Sequence, residues 1–155
     1  MDVLVDTNVI LRRIHRAHPH SRPAREAILR LVQVGDRICV TSQNLFEIWV
    51  VATRPIPTNG FGLVPNQAER LLAHLESSVF RLPDSDAVYA EWRRLVLAHQ
   101  VFGKAAHDAR LVAAMLVHGI THILTFNIPD FARYPNIVVL DPISVAQKSG
   151  APPGP

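Results

Sequence analysis

The sequence predicts an α/β fold built on a mainly parallel sheet of five strands, and two observations predict it. Short apolar, β-branched runs alternate along the chain with amphipathic stretches of helical period. Apolar residues make up 48% of the 155 and are spread over the whole length, enough for one hydrophobic core. A single domain follows, placed at residues 1–142, with 143–155 as a C-terminal tail. The Pro- and Gly-rich end of that tail, residues 150–155, is expected to be disordered.

Taken in order, residues 3–5 form the first strand, and Asn8 is placed either to cap the next helix or to orient Asp6. Residues 21–34 form a helix that puts Ala24, Ala27, Ile28, Leu31 and Val32 on one face and pairs Glu26 with Arg30 on the other; Gly35 ends it. Residues 37–41 are the second strand. Ser42 is expected to cap a largely apolar helix over about residues 43–53, followed by a loop rich in breakers from Arg54 to Gly62. Pro65 starts a helix with Ala68, Leu71, Leu72 and Leu75 on its core face, and residues 79–82 are the third strand. Asp84 or Ser85 caps a helix that buries Val88, Trp92, Leu95 and Val96. A very apolar helix runs from about Ala105 to His118 and stops at Gly119. Residues 122–125 and 137–140 are the last strands, which completes one doubly wound layer structure.

Composition narrows the setting. The lone Cys39 cannot staple its own chain and sits in an apolar run, so it reads as a small buried hydrophobe in a reducing compartment. No apolar run approaches a membrane span, and the start of the chain lacks the basic opening of a signal peptide, which predicts a cytoplasmic protein. The net charge is only +3, but between Arg12 and Arg30 lie six arginines and three histidines against one acid, Glu26. A phosphate-backbone site and a solvated helix face both account for such a cluster, and composition does not separate them.

The chemistry is expected at the carboxyl edge of the sheet, where parallel α/β folds bind ligands. Asp6 is the first polar residue after the opening strand, a position that a plain helix cap also explains. Glu47 lies in an almost wholly apolar helical segment, where an ionised carboxylate is costly without a positive partner; a salt bridge to Arg54 is the ordinary explanation. Asp108 lies near the start of another apolar helix, with Val112 and Met115 on its own face. Two carboxylates on inward helix faces and a third at a strand end are reconciled by one shared hard cation, Mg²⁺ or Mn²⁺. After the fourth strand come Thr125, Asn127 and Asp130; the first two can bond the acids, while Pro129-Asp130 also reads as a turn.

In this order, Asp6-Thr7-Asn8, Glu47, Asp108 in Ala106-His107-Asp108-Ala109, and Thr125-Phe126-Asn127 followed by Asp130-Phe131 resemble the PIN-domain pattern. The resemblance covers residues 1 to about 142 and is nearest to the VapC-like toxins of type II toxin–antitoxin pairs. It implies a three-layer α/β/α fold, an acidic pocket for Mg²⁺ or Mn²⁺, and endonucleolytic hydrolysis of RNA. Asp6 and Asp108 would be ligands and Glu47 a ligand, a water-mediated ligand or a base. Thr7, Asn8, Thr125 and Asn127 would support them, with Asp130 a candidate for the fourth acidic position because Asn127 stands where many members carry an acid. Homodimers and a small antitoxin protein are the implied partners. Arg12, Arg13, Arg16 and Arg54 are candidates to hold RNA phosphates, and the Asn59-Gly60-Phe61 loop a candidate contact for RNA or antitoxin.

Other readings compete. A phosphohydrolase with an aspartyl nucleophile generally wants a second acid two residues on, where this chain has Asn8. A non-catalytic RNA- or protein-binding module would leave three acids facing a core to repel one another. A housekeeping RNA-processing nuclease differs from a toxin in context alone. Zinc at His15, His18 and His20, or at His118 and His122, lacks any cysteine partner. Phe46, Trp49 and Trp92 fall at helical core spacings and are expected to pack rather than stack on bases.

Overall fold

The structure, a computed structural model, describes residues 1–147. Strands β1 (Asp2–Val5), β2 (Arg37–Thr41), β3 (Phe80–Leu82), β4 (His122–Leu124) and β5 (Val138–Leu140) pair side by side in the order β3-β2-β1-β4-β5. Every pairing is parallel, so the sheet goes beyond the mainly parallel one expected. Around it lie α1 (Thr7–Ile14), α2 (Ser21–Gln33), α3 (Ser42–Thr53), α4 (Pro65–Glu76), α5 (Asp86–Ala98), α6 (Ala105–Val117), α7 (Ile128–Phe131) and α8 (Pro142–Gln147).

The strand period of two sorts the core into two layers. Val3, Val5, Ile38, Val40 and Leu124 share one core with α1, α2 and α3. Leu4, Cys39 and Ile123 share the other with α5 and α6. Both faces of the central strands are therefore covered, and for that reason they read as unbroken apolar runs. The result is a three-layer α/β/α sandwich. Cys39 is wholly buried, and burial pushes its thiol up to about 11, which suits packing rather than reaction. Among the described residues no helix is long and apolar enough to cross a membrane.

From β1 the chain builds outward through β2 to β3, then returns to place β4 on the other side of β1. Strand order thus reverses between β1 and β4, and loops leaving their carboxyl ends part to open a crevice. Asp6 follows β1 and Thr125 follows β4, so the topology sets them face to face.

Several local expectations need correcting. Thr41 rather than Ser42 caps α3: its hydroxyl accepts from Asn44 N–H at 3.3 Å, while the Asn44 side chain accepts from Thr41 N–H at 2.7 Å. Val32 is 52% exposed, because α2 buries the narrower stripe of Ala24, Ala27, Ile28 and Leu31. Pro129-Asp130, read as a turn, lie within the single turn of α7. Residues 143–147, assigned to the tail, belong to α8, whose Val145 is buried in the core shared with α2. The segment 150–155 lies outside the described residues.

Candidate active site

Asp6 occupies the N-cap position of α1 but makes no side-chain capping bond, which removes the ordinary explanation for an acid at a strand end. Its backbone N–H donates to Leu124 O at 3.0 Å, carrying the β1–β4 ladder one residue further. The carboxylate turns across the crevice instead. Oδ2 accepts from the Thr125 hydroxyl at 2.7 Å and from Asn8 Nδ2, also at 2.7 Å. Asn8 Nδ2 reaches Thr125 Oγ1 as well, and Asn8 Oδ1 accepts from Phe126 N–H, so one amide ties the two strand ends together. Asp6 is only 7% exposed. Burial is the main cause that pushes its carboxyl up to about 6; the Thr125 hydrogen bond opposes this, and the charges of Asp108 and Glu47 add to it.

Glu47 stands on the second turn of α3, half-buried. Its Oε2 accepts from the Thr7 hydroxyl at 2.5 Å and its Oε1 from Gln43 Nε2 at 2.9 Å. Thr7 is held in turn by Asn44 Nδ2 at 3.0 Å. Gln43 Nε2 also donates to the backbone carbonyl of His107 at 3.0 Å. One buried amide therefore links the helix that carries Glu47 to the helix that carries Asp108. Sequence reasoning passed over Gln43 and Asn44, since nothing local signals that their amides reach partners 64 and 37 positions away.

Asp108 lies in the first turn of α6, half-buried, one residue from the wholly buried Ala109. Its carboxyl is raised from the ordinary value, first by burial and then by the charges of Asp130 and Glu47, against the pull of His107 and Arg133. Asp130 itself is held by a short hydrogen bond from Asn127 Nδ2. Asn127 and Asp130 are thus joined side chain to side chain.

Asp6, Glu47 and Asp108 line one cavity of about 450 Å³, together with Thr7, Asn8, Asn127 and Arg54. None of the ion pairs among the described residues involves any of the three acids. A Glu47–Arg54 bridge, the ordinary explanation that competed with a metal site, is thus not among the ion pairs of the described residues, although Arg54 lines the same cavity. Arg13 and Arg16 are not brought to this cavity; they line grooves on the α1–α4 side with Leu71, His74 and Ser78. Arg12 lies near His18, whose ring feels its charge. Phe46 also departs from expectation. It is 67% exposed on the cavity wall beside Val50 and Leu11, so α3 has an outward face after all, and that face is apolar.

The donor set fits a hard divalent cation. It consists of carboxylates and neutral oxygen groups, with a buried acid whose charge no cationic side chain among the described residues answers. The acids are neighbours rather than a finished cage: among the described residues no three His, Cys, Asp or Glu side chains stand as a ready metal-binding group. Mutual repulsion and the protein donors account for this, since Asp6 leans on Thr125 and Glu47 on Thr7 and Gln43.

An all-parallel sheet with crowded, uncompensated carboxylates at its switch point defines a class of α/β proteins whose acids are assembled from three separate elements. The chain belongs to the PIN domain family, whose sequence model matches residues 3–137. It is 29% identical over 125 residues to the ribonuclease VapC23 of Mycobacterium tuberculosis, covering 81% of this chain and 92% of that protein. Its fold matches VapBC-1 of nontypeable Haemophilus influenzae with a TM-score of 0.69 at 17% identity, over 92% of this chain and 98% of the other. A toxin–antitoxin complex from Klebsiella pneumoniae matches with a TM-score of 0.64 at 19% identity, over 90% and 97%.

Proposed function

We propose that this protein is a divalent-cation-dependent endoribonuclease acting as the toxin of a toxin–antitoxin pair. The observation that carries the catalytic part is the set of three carboxylates on one cavity with no ion pair to any of them among the described residues. Likeness to a VapC ribonuclease and to toxin–antitoxin assemblies supports the biological role.

In this reading Asp6 and Asp108 hold Mg²⁺ or Mn²⁺. Bound there, the cation supplies charge neutralisation at the scissile phosphate and a lowered pKa for water. Glu47, with both oxygens steadied by Thr7 and Gln43, orients the attacking water. Thr125 and Asn8 fix the Asp6 carboxylate, and Asn127 keeps Asp130 beside Asp108 as a further negative charge. Arg54 on the rim and Arg12 near His18 receive the flanking phosphates. The exposed apolar wall of Phe46, Val50 and Leu11 suits a small antitoxin laid along the cavity, and a second copy of the chain is the other expected partner.

The test is cleavage of a fluorescent single-stranded RNA with Mg²⁺, with Mn²⁺ and with EDTA. Cleavage that needs the ion and vanishes in Asp6→Asn supports the proposal; equal cleavage in EDTA or full activity in the folded variant overturns it. Expression of the chain alone should arrest growth, and coexpression of its partner should relieve the arrest. Unimpaired growth with confirmed soluble protein would favour a housekeeping role.

A further inference from the structure

The connection between α1 and α2 carries His15, His18 and His20, three rings in six residues that the proposed chemistry leaves unused. They are not scattered. The His15 ring meets Phe61 at 5.7 Å between centroids and His18 at 5.9 Å; His18 meets His20 at 5.4 Å; and His20 stacks on Phe126 at 4.8 Å with the planes 18° apart. Five rings from three distant stretches of chain thus form one continuous arc.

Both ends of the arc are fastened to the acidic cavity. Phe126 sits between Thr125, which donates to Asp6, and Asn127, which lines the cavity; its N–H is held by Asn8. Phe61 N–H donates to the carbonyl of Val51, another cavity residue, at 3.0 Å. The turn that presents Phe61 depends on Gly60, where a Cβ would fall 1.9 Å from the Arg54 carbonyl oxygen. His15 and His20 are exposed, while His18, Phe61 and Phe126 are half-buried, so the inner rings brace the outer ones.

The ring chemistry selects the occupant. His18 Nδ1 already accepts from His20 N–H at 3.1 Å, which commits one ring nitrogen to the loop itself. Desolvation, then the charges of Arg12, His20 and His15, hold His18 below the ordinary imidazole range, which favours the neutral ring. Successive rings from Phe61 to His20 are turned 61°, 51° and 64° from one another, so they make no common plane; each exposed ring offers its own face to an unstacked base of a single-stranded nucleic acid, beside Arg12. The apolar wall of Phe46, Val50 and Leu11 sets one ring among branched aliphatic side chains rather than a run of rings, and better suits a peptide.

We propose that His15, His18 and His20, braced by Phe61 and Phe126, form a stacking platform for bases of single-stranded RNA adjoining the scissile phosphate. The proposal rests on the ribonuclease reading and gives its substrate an unpaired, base-stacked segment. Binding is measured at pH 8, above the ordinary imidazole range, so that lost charge does not explain a result. The chain carrying Asp6→Asn is titrated with a short mixed-sequence single-stranded RNA and with an abasic ribose-phosphate strand of equal length. His18→Ala with His20→Ala should weaken binding of the RNA about tenfold or more and leave the abasic strand unchanged. His20→Tyr should keep the affinity, since it keeps a stacking face. Equal losses on both strands, or no loss on either, would overturn the platform while wild-type cleavage leaves the ribonuclease reading standing. Failure of the unmodified chain to bind or cleave RNA would bring down both. If the double variant loses only binding of a protein partner, the arc is a protein contact and the proposal falls.

Discussion

Two carboxylate-lined cavities open at the carboxyl edge of the sheet, and they treat charge in opposite ways. Beyond β3, Asp84 and Asp86 border a cavity of about 530 Å³ with Tyr89, Trp92 and Arg110; Asp84 is answered by Arg110 at 2.7 Å, and Asp86 is exposed to water in the first turn of α5. Beyond β1, the smaller cavity gathers Asp6, Glu47 and Asp108, and among the described residues none of them is in an ion pair. Size does not distinguish a site here; charge balance does. A folded chain bears the cost of unanswered buried carboxylates where something else is meant to answer them. The two cavities are also mechanically joined. Arg110 bonds Asp84 with one nitrogen and reaches Gln43 Oε1 at 3.4 Å with the other, and Gln43 bonds Glu47. The balanced cavity buttresses the unbalanced one.

The largest effect that should separate them is on RNA cleavage. Asp6→Asn and Asp108→Asn should each lower the cleavage rate at least about 100-fold, beyond the range seen when outer-shell partners of metal ligands are lost. Asp84→Asn should leave the rate within a few-fold. Comparable losses at all three positions would erase the distinction between the cavities.

Stability should separate them next, with a sign that depends on pH. In the folded chain the Asp6 carboxyl is raised to about 6 from an ordinary 3.8. Between those values the folded state keeps a proton that the unfolded chain has released. The ion-free protein therefore loses stability as pH rises from about 4 to 6, and the penalty stays constant above that. Asp6→Asn should stabilise the ion-free protein by about 2–3 kcal/mol above pH 6 and make little difference below pH 4. Saturating Mn²⁺ should act oppositely, raising the wild-type melting temperature by several degrees at neutral pH, an effect that Asp6→Asn abolishes. Thermal denaturation at pH 4 and pH 7.5, with Mn²⁺ and with EDTA, measures all of this.

What could be read from the chain beforehand follows the same divide between local and distant physics. The strands and the larger helices were legible because period and breakers are local: Val3, Leu4 and Val5 announce a buried strand, and Gly119 announces a helix end. The three acids were legible because each is out of place in its own apolar neighbourhood. Phe46 was misread because helical spacing says which residues share a face but not what covers that face. Ser42 was preferred to Thr41 as a cap because the two adjacent hydroxyls are equivalent in sequence; only the reciprocal bonds with Asn44 separate them. Gln43, the ring arc from Phe61 to Phe126 and the docking of α8 through Val145 were invisible, since each depends on partners brought together by the sheet order.

Gln43 supplies an intermediate effect. As a positioning residue it should act on the rate through Glu47 and the start of α6 rather than on RNA affinity. Gln43→Met keeps the volume and removes both donated hydrogen bonds. It should lower kcat about tenfold with little change in KM, and weaken Mn²⁺ binding by a similar factor. A change confined to melting temperature, with kcat intact, would reduce Gln43 to a packing residue.

The smallest effect belongs to the balanced cavity itself. Arg110 and Asp84 are both partly exposed, with side chains 34% and 44% accessible, so water screens their attraction and each holds its geometry at an entropic cost. Asp84→Asn keeps the shape and removes the charge, and should cost less than about 1 kcal/mol in denaturant unfolding. Arg110→Met should cost kcat more than stability, because it frees Gln43 on one side while the bond to His107 persists. If Arg110→Met instead destabilises the fold by several kcal/mol and leaves kcat untouched, the pair is a structural clasp and the coupling between the two cavities does not exist.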